Sequence, residues 1–140
     1  MTEIGLHDER LLMSASAKPT VYVVDDDAAV LGSLRFLLET DGFAVRTFRN
    51  AMALLNAVGA PGADCYVIDY KMPDINGIEL ARRLGKSDRG TPVIIITGYP
   101  DENISVRAAA AGVKDVILKP LLDENLIKRI RRAIQDEPGE

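Results

Sequence analysis

The segment VYVVDDD, residues 21–27, joins four apolar residues directly to three aspartates. The apolar part has the length of a short strand and lacks polar alternation, which is typical of a central strand covered on both faces of a parallel sheet. Asp27 precedes an apolar helical pattern and is a candidate N-cap. The segment therefore predicts a buried strand, an acidic turn and a helix in direct succession.

Four further short apolar runs, each of strand length, follow along the chain. They occupy residues 43–48, 65–68, 92–96 and 116–118. Arg46 and Thr47 interrupt the first of these runs, so we expect that strand at an edge of the sheet. Strands that alternate with helices predict an α/β fold, with a doubly wound five-stranded parallel sheet and helices on both faces.

Apolar residues at helical spacing separate these strands and follow the last one. The patterns cover residues 30–38, 52–58, 78–84, 104–111 and 126–134. Gly42 and Gly112 are expected to end the first and fourth helices. The remaining surface of the last helix carries four basic residues, Lys128, Arg129, Arg131 and Arg132. We expect this basic face to be solvated rather than to form a partner surface.

The length of 140 residues and the balance of 17 basic against 21 acidic residues limit the possible functions. One domain is expected at residues 20–135, between terminal tails at residues 1–19 and 136–140. The net charge of −4 offers no general attraction for nucleic acid or for an anionic membrane surface. No apolar run approaches the roughly 18 residues of a membrane-spanning helix, so a cytoplasmic protein is expected.

Cys65 is the only cysteine of the chain and His7 the only histidine. A lone cysteine excludes a disulfide within the chain and a thiolate metal cluster. A lone histidine argues against Ser-His-Asp catalysis and against a histidine-based zinc site. These functional classes are therefore set aside.

Polar side chains stand where the predicted strands end. They are Asp25 and Asp26 after the first strand, Asp69 after the third, Thr97 after the fourth and Lys119 after the fifth. If the first and third strands are neighbours, the three carboxylates converge and repel one another, which raises the pKa of at least one. Mg²⁺ relieves such repulsion, because it favours one or two carboxylates, several waters and a substrate phosphate.

The other two polar groups suit phosphoryl transfer. Lys119 supplies a mobile positive charge that can pair with a carboxylate in one state and with a phosphoryl oxygen in another. Thr97 can donate a hydrogen bond to the same oxygen. A metal ion, an ammonium and a hydroxyl around an aspartate predict a phosphoryl-transfer site, with the aspartate itself as nucleophile.

Four segments resemble those of a known family when they are taken together and in order. They are VVDDD at residues 23–27, IDYKMPD at residues 68–74 with Gly77 following, ITG at residues 96–98, and KP at residues 119–120. The family is that of response-regulator receiver domains in two-component signalling, especially those of nitrogen-fixation-type regulators. The resemblance covers residues 20–135 and implies a flavodoxin-like fold with strand order 2-1-3-4-5.

The resemblance also implies roles for the acidic residues. Asp69 would accept the phosphoryl group. Asp26 and Asp69 would hold Mg²⁺ together with the main-chain oxygen of Lys71, and Asp25 would help through a water molecule. A sensor histidine kinase or a phosphotransfer protein would be the donor, and the domain would later lose the group to water by weak self-catalysis rather than act as a dedicated enzyme.

The resemblance says less about how phosphorylation is sensed and how the signal is passed on. Thr97 and Lys119 would contact the phosphoryl group, and the peptide bond between Lys119 and Pro120 would be cis. Val116 stands where the family usually carries an aromatic residue, and Tyr99 is a candidate for part of that role. Since few residues follow the last helix, we expect contact with an unknown downstream protein, phosphorelay or phosphate buffering, unless the chain was cut from a longer regulator.

Two alternatives remain open beside a phosphorylated receiver. A haloacid-dehalogenase-like phosphatase would use Asp25 and Asp27 as an Asp-x-Asp pair, but Ala28 and Ala29 stand where that family expects Gly or Thr, and Asp69 would have no role. A degenerate receiver would act by binding alone. A nucleotide- or flavin-binding module is disfavoured, because three aspartates after the first strand would repel a phosphate.

Overall fold

The computed structural model describes residues 18–59, 62–98, 101–119 and 124–135 of the protein. The strands are β1 (Thr20–Val24), β2 (Ala44–Phe48), β3 (Cys65–Asp69), β4 (Val93–Thr97) and β5 (Asp115–Leu118). The helices are α1 (Ala28–Thr40), α2 (Ala51–Ala57), α3 (Gly77–Ser87), α4 (Glu102–Ala110) and α5 (Glu124–Gln135). The predictions for Tyr99, for the bond to Pro120, and for nearly all of the terminal tails lie outside the described residues.

The five strands form one parallel sheet in the order β2-β1-β3-β4-β5. This order confirms the doubly wound arrangement and places β2 at an edge, as its interrupted apolar pattern predicts. β1, β3 and β4 are central, and nearly every residue in them is buried. The change of direction in strand order between β1 and β3 creates the crevice in which such sheets bind ligands.

The two faces of the sheet are covered by different helices. Val21 and Val23 point to a core cluster that contains the buried residues of α1 and α5. Tyr22 and Val24 point to a second cluster, which contains those of α2, α3 and α4. This alternation follows from the period of two along a strand, and it buries an uninterrupted apolar strand on both sides.

Polar caps and glycines set the ends of the helices. Asp27 caps α1 as predicted, because its carboxylate accepts hydrogen bonds from Ala29 N at 2.9 Å and from Val30 N at 3.4 Å. Gly42 and Gly112 follow the first and fourth helices with φ of 98° and 89°, a conformation that glycine adopts without steric cost. The described residues contain no helix of the length and apolar character needed to cross a bilayer.

Two arginines of the predicted basic face on α5 have partners inside the domain. Arg129 Nη1 lies 3.1 Å from the carboxylate of Asp115. Arg131 Nη2 lies 2.6 Å from the carboxylate of Asp41, and its guanidinium is 4.7 Å from the ring centroid of Phe43. These contacts join α5 to the sheet and to the end of α1, which favours a structural role for this part of the face.

Candidate functional site

The carboxyl ends of β1 and β3 place three carboxylates side by side. Val24 pairs with Ile68 in the parallel register, so that Asp25 and Asp69 lie at the same level of the sheet. One carboxylate oxygen from each of Asp25, Asp26 and Asp69 lies within 4.8 Å of the others. Asp25 and Asp69 are only 3% and 8% exposed, whereas Asp26 is open to solvent. The predicted acids therefore form one half-buried cluster.

Lys119, directly after β5, reaches across the sheet edge to the two buried acids. Its Nζ lies 3.0 Å from Oδ1 of Asp69 and 3.4 Å from Oδ2 of Asp25. Its main-chain N–H donates to the main-chain oxygen of Thr97 at 2.7 Å, which fixes the start of the side chain beside the end of β4. One ammonium is thus shared between carboxylates on two different strands.

Burial dominates the electrostatics of this cluster. It raises the pKa of Asp25 above its ordinary value, although the main-chain N–H of Asp27 and the ammonium of Lys119 act in the opposite direction. Burial also raises the pKa of Asp69, against the hydrogen bond from Lys119. For Lys119 itself burial acts to lower the pKa, but the two carboxylates outweigh it and raise that pKa. One ammonium therefore does not offset the burial of two carboxylates.

In the metal-free protein, Asp69→Asn should raise the free energy of unfolding, and this gain should grow as the pH rises above about 4. Because the pKa of Asp69 is higher in the folded protein than in the unfolded chain, this carboxyl lowers the free energy of unfolding as the pH rises through that window. Urea unfolding of both proteins in a chelator, between about pH 4 and pH 7, measures the difference. A difference that is constant with pH, or that shrinks, would contradict the raised pKa.

The donor set suits a hard divalent ion. Oxygen ligands on opposite sides of one Mg²⁺ lie about 4 Å apart, and one carboxylate oxygen from each of the three acids lies within 4.8 Å of the others, so the spacing of the cluster suits one ion. A divalent charge also relieves the repulsion that Lys119 only partly offsets. The exposed side of Asp26 leaves room for the water molecules that Mg²⁺ usually retains.

These groups line an open cleft of about 640 Å³. The lining residues are Asp25, Asp26, Asp27, Asp69, Lys71, Met72, Pro73, Thr97, Gly98 and Lys119. All six predicted site residues are among them. Met72, Pro73 and Gly98 were not singled out as functional, although they lie within the segments that carry the family resemblance. Val116 is half-buried against the core on the α4 side of the sheet.

The loop between β3 and α3 depends on Gly77 at its far end. The N–H of Gly77 donates to the main-chain oxygen of Tyr70 at 2.8 Å and closes the loop. A Cβ at this position would lie 2.9 Å from the main-chain oxygen of Asp69 and 3.0 Å from Cα of Tyr70. Since these are backbone atoms, the helix can approach the end of β3 this closely only with glycine here.

A comparison with known families decides the class of this site. The profile of the response regulator receiver domain matches residues 21–131. The chain belongs to the response regulator receiver family. Receiver domains are signalling proteins of two-component systems rather than dedicated enzymes, and they interact with histidine kinases or phosphotransfer proteins. The predicted family and fold are therefore confirmed, and the arrangement of this receiver is consistent with a phosphoacceptor function.

Curated relatives support the same class. The receiver is 40% identical over 125 residues to the transcriptional regulatory protein FixJ of Bradyrhizobium diazoefficiens, which covers 89% of this chain and 61% of that protein. It is 37% identical over 118 residues to the response regulator protein TmoT of Ectopseudomonas mendocina, covering 84% of this chain and 54% of that protein. The chain thus spans between 54% and 61% of the length of these relatives.

A solved structure shows the same fold. The CheY-like receiver domain protein from Methanospirillum hungatei JF-1 superimposes with a TM-score of 0.79 at 30% identity, over 84% of this chain and 94% of that one. The matches give no support to the phosphatase alternative. Asp69, which that alternative leaves without a role, lies within the acidic cluster of this receiver.

Proposed function

We propose that Asp69 of this receiver accepts a phosphoryl group from the phosphohistidine of a partner histidine kinase or phosphotransfer protein. The observation that carries the proposal is the position of Asp69, whose Oδ1 lies 3.0 Å from the ammonium of Lys119 while its carboxylate belongs to the same cluster as Asp25 and Asp26. A nucleophile, a mobile cation and two further acids for a metal ion are the parts that phosphoryl transfer requires.

The transfer exchanges one bond to phosphorus for another. A carboxylate oxygen of Asp69 forms the new bond as the bond from phosphorus to the histidine nitrogen breaks, and the electron pair remains on the imidazole. Asp26, Asp69 and the main-chain oxygen of Lys71 would hold Mg²⁺, with Asp25 contributing through a water molecule, and the ion would supply positive charge that offsets the charge of the phosphoryl oxygens. Lys119 and Thr97 contribute a charge-assisted and a neutral hydrogen bond to those oxygens.

Hydrolysis later removes the phosphoryl group and restores the free carboxylate of Asp69. A water molecule attacks phosphorus, the bond to the Asp69 oxygen breaks, and inorganic phosphate leaves. Asp69 is only 8% exposed, so its neighbours control the approach of that water. This step is self-catalysed and slow, and it gives the phosphorylated state a finite lifetime.

Phosphorylation changes the pairing of Lys119. The acyl phosphate adds a charge of about −1.5 to −2, by analogy with phosphorylated hydroxyls, and draws the ammonium away from Asp25. Thr97, at the end of β4, follows towards the new oxygens and biases the loop that leads into α4. A coupling of about 1 to 3 kcal/mol then changes the affinity for a downstream protein by roughly 5- to 150-fold.

Uptake of phosphate should depend strictly on Mg²⁺. With a small phosphodonor such as phosphoramidate, we expect one phosphoryl group per chain by intact-protein mass spectrometry, and at least about 100-fold slower uptake in a chelator, because the acidic cluster repels an anionic donor without the ion. Restoring excess Mg²⁺ to the chelated sample is the control, and it should recover the full rate. Equal rates with and without the ion would refute the metal site.

A further inference from the structure

The junction between β2 and α2, residues 48–52, contacts the loop that carries the first two acids. The main-chain N–H of Asp25 donates to the main-chain oxygen of Phe48 at 3.1 Å. Arg49 Nη2 donates to the main-chain oxygen of Asp26 at 3.4 Å. The backbone positions of both acids are therefore tied to this junction.

The same junction contacts the loop that follows the third acid. Asp74, five residues after Asp69 in the loop between β3 and α3, accepts hydrogen bonds through Oδ2 from Ala51 N at 3.1 Å and from Met52 N at 3.3 Å. Its other oxygen accepts from Ile75 N at 3.0 Å, which fixes the orientation of the carboxylate. One exposed side chain thus connects this loop to the start of α2.

We propose that Asp74 is a positioning residue for the metal site, because it fixes the loop after Asp69 to the junction that also holds Asp25 and Asp26. The inference rests on the proposed function. β1 and β3 are already paired in the sheet, but Lys71, whose main-chain oxygen is the proposed third protein ligand, lies in the loop beyond β3. The hydrogen bond from Gly77 to Tyr70 joins the two ends of that loop, and Asp74 ties its middle to the start of α2.

The tie through Asp74 holds the loop against electrostatic repulsion from the carboxylates of the cluster. One carboxylate oxygen from each acid of the cluster lies within 4.8 Å of the others, so the ionised acids repel one another and also repel the partial negative charge of a carbonyl oxygen brought next to them, such as that of Lys71. Without the tie, the loop can carry the main-chain oxygen of Lys71 away from the carboxylates in the metal-free protein, and this oxygen must be brought back when the ion binds. A loop that is fixed beforehand needs no such reorganisation, so it binds the ion more tightly.

A simpler explanation is that Asp74 only stabilises α2, and a matched variant separates the two. Asn50 also caps α2, since its side chain accepts from Ala53 N at 2.8 Å, and this bond connects the cap only to its own helix. Asn50→Ala therefore weakens the same helix without releasing the loop. Asp74→Asn keeps one acceptor oxygen for Ala51 N and Met52 N, and it removes the charge together with the local bond from Ile75 N. It therefore separates the tie to α2 from simple electrostatics.

The test is the Mg²⁺ dissociation constant of the full chain, from amide NMR shifts titrated with MgCl₂ alone. We expect Asp74→Ala to weaken binding about tenfold, at the low end for groups that orient metal ligands, and Asp74→Asn and Asn50→Ala to stay within about twofold of the original protein. The amide spectra also show directly whether each variant is folded.

The other possible results of this titration contradict either the positioning role of Asp74 or the proposed function of the receiver. Unchanged affinity in Asp74→Ala, or equal weakening in Asn50→Ala, removes the positioning role while the proposed function stands. Equal weakening in Asp74→Asn and Asp74→Ala replaces the tie by long-range charge. An original protein that binds no Mg²⁺ overturns the proposed function, and the positioning role with it.

Discussion

Asp69→Asn should lower phosphoryl uptake from a small phosphodonor at least about 100-fold, because an uncharged amide cannot replace the attacking carboxylate oxygen. The variant should fold, since asparagine has nearly the same shape and loses a charge that is costly to bury at 8% exposure. Loss of uptake in a folded, stable protein separates the chemistry of this group from its packing. Incorporated phosphate measured by mass spectrometry under Mg²⁺ gives the ratio of rates.

Asp27→Asn is the matched control for this experiment. Asp27 lines the same cleft and the substitution removes the same charge, but its carboxylate caps α1 and lies outside the cluster of three acids. Asparagine is an equally good N-cap, so stability should be preserved. We expect uptake within a few-fold of the original rate. A comparable loss in both variants would mean that the charge of the cleft matters and the identity of Asp69 does not.

Gly77→Ala should lower the free energy of unfolding by about 2 to 3 kcal/mol. The added Cβ would lie 2.9 Å from the main-chain oxygen of Asp69 and 3.0 Å from Cα of Tyr70, which is closer than van der Waals contact. Backbone atoms cannot rotate away from it as a side chain can. The helix and the end of β3 must separate, so the position of Asp69 changes as well. Urea unfolding measures the stability, and Mg²⁺ affinity reports the displacement of the site.

Gly85→Ala is the control in the same helix. Nothing lies within 4 Å of a Cβ built at Gly85, and the residue is exposed. Alanine is favoured over glycine inside a helix, so this substitution should raise the free energy of unfolding by about 0.5 to 1 kcal/mol. The two substitutions are chemically identical, but their effects on the free energy of unfolding should have opposite signs. Destabilisation of similar size in both would attribute the effect to α3 as a whole.

The sequence predicts the sheet and the main residues of the site because both depend on local pattern. Uninterrupted apolar strands indicate burial on both faces, and β1, β3 and β4 are indeed the central strands. Strand ends are marked by polar residues, and parallel pairing brings those ends to one edge. Asp25, Asp69 and Lys119 could therefore be placed together before their distances were known.

Contacts between loops could not be predicted in the same way. Asp74 lies in a motif that favours a turn, and nothing in the sequence shows that its carboxylate reaches the start of α2. Arg49 carries no signal at all, since its contact with Asp26 depends on how β2 ends relative to β1. The need for glycine at Gly77 arises from the distance between α3 and β3, which no periodicity encodes.

The position of the acyl phosphate tests the central claim most directly. Borohydride reduces a phosphorylated aspartate to homoserine, so peptide mass spectrometry of the reduced protein locates the acceptor. We expect this modification at Asp69 and at no other carboxylate. Modification of Asp25, Asp26 or an acid outside the cleft, with Asp69 unchanged, would contradict it.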